Sequence, residues 1–316
     1  MRGSLGKVDG FQSAKLTSKL CELTVVPDLG AKVIGLRSLH SGREWMWWPT
    51  EKPKLFRNQT GDAFPDSTRT GADECCPSIA PCRHRGMELT DHGEIWTEKW
   101  ELDRDALAAG KIVTSVCFPL SPLRMVREVS FESEQVLNFC YTLENKGEGD
   151  FDFLWAFHPM MRIEAGDRLV IPKHQGVYQV DTAIGFEAER GDWVPREILG
   201  DPCSLSNLDL GGDDRALKCF SPSLGEGERF AEITNDVTGD YIRFDFEGSL
   251  LDTLGVWLNR GGWNGYHHVA IEPTNGAPDL LDLAVNEWDR YTKIQAGASC
   301  GWSMRITVGP DLNRKD

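Results

Sequence analysis

The sequence has no long hydrophobic run and relatively few basic residues. No apolar stretch in its 316 residues approaches the roughly 18–20 residues that a membrane-spanning helix needs. Residues 1–4 do not open a hydrophobic signal segment, so a cytoplasmic protein without a membrane partner is expected. Lysine and arginine number 34 against 49 aspartates and glutamates, which gives a net charge of −15. Nucleic acids and anionic membranes bind basic patches, so neither is expected as a partner, whereas a few local arginines can hold a small phosphorylated ligand.

The nine cysteines follow neither a disulfide pattern nor a metal pattern. Their number is odd and the chain carries no export signal, which favours reduced thiols. Cys75, Cys76, Cys82 and His84 lie close together, but a zinc site uses cysteines separated by two residues, and no second pair follows. We therefore expect buried free thiols here, and neither a metal nor another cofactor.

Helical patterns are scarce, whereas short alternating segments separated by turn residues recur along the whole chain. Alternation of apolar and polar residues at every second position is typical of half-buried β-strands. The segments at 123–131, 136–144, 241–246 and 302–308 have this pattern, and residues 278–284 predict one short helix.

No linker rich in Gly, Ser or Pro, no low-complexity tract and no obvious repeat divides the chain. The expectation is a single all-β domain over residues 1–316. The polar, turn-rich segment at 50–70 is expected to cover a sheet edge or the mouth of a site.

The segment at 151–158 alternates strictly between two kinds of side chain. One face is aromatic and is expected to belong to the core: Phe151, Phe153, Trp155 and Phe157. The other face carries smaller groups and ends in His158, before a proline that is expected to stop the strand. A second apolar segment, at 268–273, places Glu272 before a proline in the same way. An imidazole and a carboxylate at the ends of two apolar strands predict an acid and a base that face one cleft.

Several segments follow one another in an order that is typical of a known family. They are the loop at 69–77, the Asp-His-Gly-Glu-Ile-Trp sequence at 91–96, and the strands that carry His158 and Glu272. Together with the segments at 26–33, 41–45 and 295–297 they resemble the aldose 1-epimerase family, the galactose mutarotase-like proteins. The loop opened by Arg69 and the proline after His158 look closer to the hexose-6-phosphate 1-epimerase branch of that family.

The resemblance implies a β-supersandwich, in which large antiparallel sheets pack face to face and one of them carries a sugar cleft. It also implies interconversion of the α and β anomers of an aldose. In the family, the histidine that matches His158 is the general acid and the glutamate that matches Glu272 is the general base. The histidine that matches His92 helps to bind the sugar oxygens.

Anomer exchange requires an acid and a base independently of any family. Opening a pyranose removes the proton of the anomeric hydroxyl and adds a proton to the ring oxygen, and closure reverses the roles. A glutamate with its ordinary pKa of about 4.3 is ionised at neutral pH and can be the base. A histidine, with an ordinary pKa of about 6.5, must be held protonated by a negative charge, for which Glu272 and Asp152 are the candidates.

Five further residues are candidates for contacts with the sugar: Arg69, Asp73, Glu74, Asp245 and His268. Each also has a structural interpretation, such as an exposed loop charge for Arg69 and a buried ion pair or a solvated face for Asp245. Asp73 and Glu74 would repel a phosphate held by Arg69, so an unphosphorylated sugar fits at least as well. Indole faces often cover the C–H faces of sugars, and three tryptophans lie near the candidate segments: Trp96, Trp257 and Trp263.

Three functions fit these features. The first is an aldose 1-epimerase, or mutarotase. The second is a carbohydrate-binding or regulatory protein with the same fold and no turnover. A lyase or hydrolase is a weaker third interpretation, because neither a companion domain nor a second catalytic cluster is evident, and the fold alone does not distinguish these functions.

Overall fold

The computed structural model describes residues 1–172, 176–199 and 213–310, and their dominant element is the β-strand. In chain order the strands are β1 (Arg2–Val8), β2 (Phe11–Thr17), β3 (Cys21–Val26), β4 (Lys32–Ser38), β5 (Ala72–Cys75), β6 (Cys82–His84), β7 (Met87–Leu89), β8 (Glu101–Leu102), β9 (Lys111–Cys117), β10 (Leu123–Phe131), β11 (Val136–Asn145), β12 (Phe151–Phe153), β13 (Ala156–Met161), β14 (Asp167–Val170), β15 (Val177–Ile184), β16 (Trp193–Pro195), β17 (Arg215–Phe220), β18 (Phe230–Asn235), β19 (Asp240–Glu247), β20 (Thr253–Arg260), β21 (His267–Thr274), β22 (Thr292–Ile294) and β23 (Ser299–Pro310). The helices of the described residues are short: α1 (Arg104–Ala108), α2 (Leu281–Asn286), and 3-10 helices at Phe64–Asp66, Arg196–Leu199 and Glu226–Glu228. None of these helices is long and apolar enough to cross a membrane.

Two large antiparallel sheets contain most of the described strands. The larger has eleven strands in the spatial order β1-β2-β3-β4-β5-β13-β21-β20-β17-β15-β16, and the smaller has eight in the order β14-β18-β19-β23-β11-β10-β9-β8. Two-stranded ribbons, β12-β22 and β6-β7, flank them. The predicted fold class, all-β with large antiparallel sheets and few short helices, is confirmed.

The alternating segments form strands where the sequence predicts them. The segment at 123–131 is β10, and the segments at 136–144, 241–246 and 302–308 lie within β11, β19 and β23. The predicted helix begins later than its sequence pattern, at Leu281, whose backbone N–H is bonded to the hydroxyl of Ser78 at 3.2 Å.

The two sheets pack against each other through the apolar residues of their facing sides. Phe157 of β13 packs on Phe244 of β19 with ring centroids 6.4 Å apart, and Trp155 packs on Trp302 of β23 at 5.1 Å. The aromatic face predicted from the segment at 151–158 therefore belongs to the core between the sheets.

The aromatic segment is nevertheless not one continuous strand. β12 pairs with β22 in a ribbon, whereas β13 lies inside the eleven-stranded sheet. Between β12 and β13, the side chain of Asn275 makes hydrogen bonds to the backbone that a neighbouring strand would otherwise make. Its amide oxygen accepts the N–H of Trp155 at 2.6 Å, and its amide nitrogen donates to the carbonyl of Phe153 at 3.2 Å.

The prolines after His158 and Glu272 do not stop their strands, so this prediction is wrong. β13 and β21 each continue beyond the proline. A proline removes only its own N–H from the ladder, and the next residue restores the pairing, since Met160 donates to the carbonyl of Gly71 at 2.9 Å. His158 and Glu272 consequently lie within strands, on the face of the sheet rather than at its end.

Candidate functional site

The strand register places four residues in one row across the eleven-stranded sheet. Asp73 of β5 is opposite His158 of β13, and the register between β13 and β21 places Glu272 opposite His158 on the other side. Gly255 of β20 is next in the row, opposite Glu272. Residues opposite each other in antiparallel strands share a face of the sheet. Two carboxylates therefore flank one imidazole.

A cavity of about 270 Å³ lies on this face. The strands contribute His158, Met160, Lys218, Trp257 and His268 to its lining, and the loops contribute Phe64, Asp91, His92, Trp263 and Asp279. Phe64 and Pro65 belong to the segment at 50–70, so this part of the segment lies at the cavity. Of the three tryptophans singled out in the sequence, Trp257 and Trp263 line the cavity.

His158 and Glu272 are both buried, with exposures of 7% and 0%. Nε2 of His158 is 3.6 Å from Oε1 of Glu272, which is beyond ordinary hydrogen-bond length. Neither this Oε1 nor the Nδ1 of His158 has a hydrogen-bond partner among the residues that the structure describes. The structure therefore brings the predicted acid and base together and leaves each with an unpaired polar atom.

Lys218 of β17 reaches across β20 to Glu272. Its Nζ donates to Oε2 of Glu272 and lies 3.5 Å from Oδ1 of Asp279. Gly255 is the residue opposite Glu272 on this intervening strand. Burial disfavours the ammonium, but the charges of Asp279 and Glu272 outweigh it and raise the pKa of Lys218 above its ordinary value. One cation therefore serves two carboxylates.

The surroundings of His158 favour the neutral imidazole. Burial lowers the pKa of His158 well below its ordinary value, and the positive charges at His92 and Lys218 act in the same direction. The sequence predicts instead an imidazolium held by a neighbouring carboxylate. Glu272 is that neighbour, but Lys218 offsets its charge.

Asp152, the other residue predicted to hold a charge on His158, lies on β12 and does not line the cavity. Its Oδ2 is 3.2 Å from Nε2 of His84 and 2.7 Å from Nη2 of Arg85. Asp152 thus anchors the small β6-β7 ribbon, which carries His84.

His92 and Asp91 form a second polar pair at the cavity. Nδ1 of His92 is 2.8 Å from Oδ1 of Asp91, and its ring stacks on Phe64 with centroids 3.8 Å apart. Burial raises the pKa of Asp91, but the contact with His92 and the N–H of Phe64 outweigh burial and lower it. His92 has a φ of +58°, a left-handed conformation that is uncommon for non-glycine residues and is concentrated at functional sites. The structure brings the ring of His92 to 5.1 Å from that of His158.

His268 lines the same cavity from β21. Its ring centroid is 4.8 Å from that of Trp47, and only 1% of the residue is exposed. Burial, together with the charge of His267, lowers the pKa of His268 to about 3. The imidazole of His268 is therefore neutral at physiological pH.

Several buried polar atoms at or beside the cavity have no hydrogen-bond partner in the described part of the chain. They are Oδ1 of Asp73, Nδ1 of His158, Nδ1 of His268, Oε1 of Glu272 and Oδ1 of Asp279. Leaving a buried polar atom unpaired costs about 1–3 kcal/mol. Such a concentration is expected where a polar ligand completes the hydrogen bonds.

Arg69 lies beside this cavity rather than in it. It lines a neighbouring cavity of about 770 Å³ together with Trp47, Tyr266 and His267. Its guanidinium lies over the ring of Tyr266, 5.2 Å from the centroid.

Asp73 and Glu74 point to opposite faces of β5. Asp73 shares the face of His158, and its Oδ2 accepts a hydrogen bond from Nζ of Lys32 at 2.5 Å. Glu74 points into the core, where its Oε1 accepts a hydrogen bond from Arg127 at 2.8 Å. The structure does not bring Glu74 to the cavity. Since a buried cation neutralises each carboxylate, the expected repulsion of a phosphate is also removed.

Asp245 is on β19 of the eight-stranded sheet, and the structure does not bring it to the cavity. It forms a partly exposed ion pair with Nη2 of Arg243 at 2.7 Å. The sequence leaves a buried ion pair open for Asp245, and the ion pair that forms is partly exposed instead.

The cysteines of the described residues are all free; Cys75 and Cys76 are buried as expected, whereas Cys82 is half-buried. His84 contacts Asp152 and Asp282 rather than a cysteine. In the ranges that the structure describes, no group of three or more His, Cys, Asp and Glu residues is placed to hold a metal ion.

Three charged residues that line the cavity were not predicted from the sequence: Asp91, Lys218 and Asp279. Lys218 could have been identified from the sequence, because it is the one charged residue in the otherwise apolar segment from Ala216 to Phe220 of β17. For Asp91, the only feature in the sequence that points to the site is its position directly before His92. Asp279 lies in the segment interpreted as the start of a helix, which hid its role.

The structure is similar to several solved structures, all at low sequence identity. A protein of Synechocystis sp. PCC 6803 is 18% identical, with a TM-score of 0.68 over 95% of this chain and 96% of that chain. A galactose mutarotase-like protein of Clostridium acetobutylicum is 13% identical, with a TM-score of 0.67 over 98% of both chains. A galactose mutarotase related enzyme of Lactobacillus acidophilus is 14% identical, with a TM-score of 0.63 over 96% of this chain and 99% of that chain. No family model and no curated protein matches the sequence. The chain has the galactose mutarotase-like fold that the order of its sequence motifs predicts.

Proposed function

We propose that this protein is an aldose 1-epimerase, which interconverts the α and β anomers of an aldose. The pair of His158 and Glu272 carries the proposal, because a buried imidazole and a buried carboxylate, 3.6 Å apart, each keep an unpaired polar atom beside one cavity. The aromatic rings of Phe64 and Trp257 in the lining suit the C–H faces of a sugar. Similar folds in proteins named galactose mutarotase-like or galactose mutarotase related add support.

In the proposed reaction Glu272 is the base. Its Oε1 takes the proton of the anomeric hydroxyl, the bond between carbon 1 and the ring oxygen breaks, and the carbonyl forms at carbon 1. The electron pair of the broken bond remains on the ring oxygen, which takes a proton from a histidine of the cavity. After rotation about the bond between carbons 1 and 2, the reverse steps close the ring as the other anomer. We assign this donation to His158 or His92, which both line the cavity.

The proposed substrate is a monosaccharide, because a cavity of about 270 Å³ is small for a ligand site. Two substrate classes remain to be distinguished, a free sugar and a sugar phosphate. Arg69 offers a guanidinium in the neighbouring cavity, and the carboxylates of Asp73 and Glu74 are each paired with a cation. The test therefore includes both free and 6-phosphorylated aldoses, and the Arg69→Gln variant reports whether the guanidinium contributes to KM.

Proton exchange spectroscopy of the two anomers tests the proposal directly. Wild type is expected to accelerate exchange on at least one aldose of the panel, and Glu272→Gln is expected to lower the rate by about 10²–10⁴-fold. Glu144→Gln is the matched control, since Glu144 pairs with Lys146 on the other sheet, and it should exchange anomers as wild type does. Wild-type exchange no faster than in buffer, or full activity in Glu272→Gln, contradicts the proposal.

A second candidate function is sugar binding without turnover. One observation favours it: Glu272 is fully buried and already bonded to Lys218, so the proposed base is not freely presented to the cavity. Calorimetric titration with the same sugar panel separates the two functions. Binding without any acceleration of anomer exchange identifies a binding protein, whereas binding with exchange that Glu272→Gln abolishes identifies the epimerase.

A further inference from the structure

Each carboxylate beside His158 is bonded to a lysine, and the lysine bonded to Glu272 is shared with Asp279. Asp73, on one side, accepts a hydrogen bond from Lys32 at 2.5 Å, and Glu272, on the other side, accepts one from Lys218. The side chains of both ion pairs are nearly inaccessible, with exposures of at most 5%. The row across the sheet thus consists of two carboxylates, each bonded to an ammonium, with an imidazole between them.

This arrangement determines the charge of the imidazole by simple electrostatics. A bare carboxylate within about 4–6 Å of a histidine stabilises the imidazolium. A carboxylate that is bonded to an ammonium offers little net charge, and the ammonium itself repels a second cation. With both flanking carboxylates neutralised, burial is unopposed and favours the neutral form of His158.

The other ionisable groups around the row do not reverse this balance. They are Asp279 in the loop before α2, which shares Lys218; Asp181 on β15, which pairs with Arg190; His268 on β21; and the pair of Asp91 and His92 in the loop after β7. Of these, His92 and His268 act on His158 as positive charges when protonated, in the same direction as the two lysines.

We propose that Lys32 and Lys218 are positioning residues that keep the imidazole of His158 neutral, so that His92, held by Asp91, donates the proton to the ring oxygen. The second half of this proposal rests on the proposed epimerase function, whereas the first half does not. Nδ1 of His92 faces the carboxylate of Asp91, which has no lysine or arginine of its own in the described part of the chain. That contact fixes the orientation of the His92 ring, which lines the cavity beside His158.

The charge of His158 can be followed by long-range proton–nitrogen NMR of the imidazoles in a titration from about pH 4 to about pH 9, around the ordinary histidine pKa of about 6.5. Spectra of His158→Gln and His92→Gln assign the two rings. In wild type, His158 is expected to keep the nitrogen shifts of a neutral ring at pH 7 and below. In Lys218→Met, its pKa should rise by about one unit or more, because Glu272 is then an unpaired carboxylate beside it.

Three further variants make the test decisive. Lys218→Arg keeps the cation and should restore the wild-type titration of His158. Lys32→Met unmasks Asp73 from the other side and should also raise the pKa, which keeps the test available if one variant does not fold. Lys111→Met breaks a lysine–glutamate pair of 2.7 Å on the eight-stranded sheet and should change nothing at His158. An imidazolium at His158 in wild type at pH 7, or an unchanged titration in both Lys218→Met and Lys32→Met, overturns the proposal.

The donor role of His92 is tested by anomer exchange over the same pH range. His92→Gln is expected to lower kcat by about 10²–10⁴-fold and to remove the alkaline limb of the pH profile, which reports deprotonation of the donor. His158→Gln should keep that limb. If His158→Gln removes the limb instead, His158 is the donor and the proposal is wrong. If wild type exchanges no anomers at all, the proposed function fails, but the NMR titration still decides whether the two lysines control His158.

Discussion

Asp73 and Glu74 are consecutive residues of β5, yet they lie on opposite faces of the large sheet and bind different cations. Asp73 is bonded to Lys32 beside the cavity, and Glu74 is bonded to Arg127 in the core. Side chains alternate between the two faces of a strand, so adjacent carboxylates cannot share a site within it. The two residues, which the sequence presents as equal candidates, therefore have different consequences when they are changed.

Glu74→Gln is expected to destabilise the protein without disturbing the cavity beside His158. The change leaves the buried guanidinium of Arg127 without its counter-charge, and breaking a buried ion pair costs about 3–5 kcal/mol. Urea unfolding gives the free energy of unfolding of wild type and variant. A loss below about 1 kcal/mol, the range of exposed ion pairs, would contradict a structural role for Glu74.

Asp245→Asn is expected to leave both stability and sugar binding nearly unchanged. Its ion pair with Arg243 is partly exposed and lies on the eight-stranded sheet, and such pairs contribute roughly 0–1 kcal/mol. The measurements are urea unfolding and calorimetric titration with the sugar that wild type binds. A clear loss of sugar affinity in a fully folded variant would place Asp245 in the site after all.

Gly255→Ala is expected to disturb Glu272. An added Cβ would lie 3.0 Å from Cε1 of Phe220, which must shift by a few tenths of an ångström, and 3.4 Å from Cβ of Glu272, which is an ordinary contact. Any strain that Phe220 does not relieve falls on Glu272. Overpacking of this kind destabilises by about 1–3 kcal/mol, and displacing the proposed base should lower the exchange rate by about tenfold or more. Gly149→Ala is the control, because a Cβ there meets nothing within 4 Å. Equal exchange rates in the two variants would show that the space at Gly255 is not needed.

Gly93→Ala is expected to be far more damaging than Gly86→Ala. Both glycines have a positive φ, of +76° and +84°, and therefore both variants carry the strain of a left-handed alanine, about 1–2 kcal/mol. Only at Gly93 would the new Cβ also lie 2.1 Å from a backbone oxygen, that of Cys76. The difference between the two free energies of unfolding measures this clash, and equal values would show that the loop after β7 moves freely to relieve it.

Acid is expected to destabilise the protein through its buried neutral histidines. The pKa of His268 is about 3 in the folded protein and about 6.5 in the unfolded chain. Above about pH 6.5 the ring is neutral in both states. Below about pH 6.5 the imidazole of His268 is protonated in the unfolded chain but stays neutral in the folded protein. The free energy of unfolding therefore falls by up to about 1.4 kcal/mol per pH unit, until about pH 3.

Urea unfolding at about pH 7 and about pH 5, between these two pKa values, measures that slope. His268→Gln should reduce it by the contribution of one titrating group, whereas His40→Gln, which changes an exposed histidine, should leave it as in wild type. Identical slopes in wild type and His268→Gln would mean that His268 titrates normally in the folded protein.

His158 and Glu272 are visible in the sequence because ionisable residues are unusual inside apolar strands, where an unpaired charge is costly. Their lysine partner is not visible in the same way. Lys218 is 54 residues away from Glu272 along the chain, and nothing local to either residue indicates that one strand with a glycine separates them. The prediction that the two prolines end their strands fails for a related reason. A proline lacks one N–H, and this loss matters only if a neighbouring strand would have accepted that hydrogen bond.

The sequence by itself determined the strands, the faces they bury and the order of motifs that predicts the galactose mutarotase-like fold. These follow from alternation and turn residues, which are local properties of the chain. The tertiary structure alone decided which charges meet: Lys32 with Asp73, Lys218 with Glu272, and Arg127 with Glu74. Such pairs depend on the register between strands that are distant in the sequence, and the charge carried by His158 depends on those pairs.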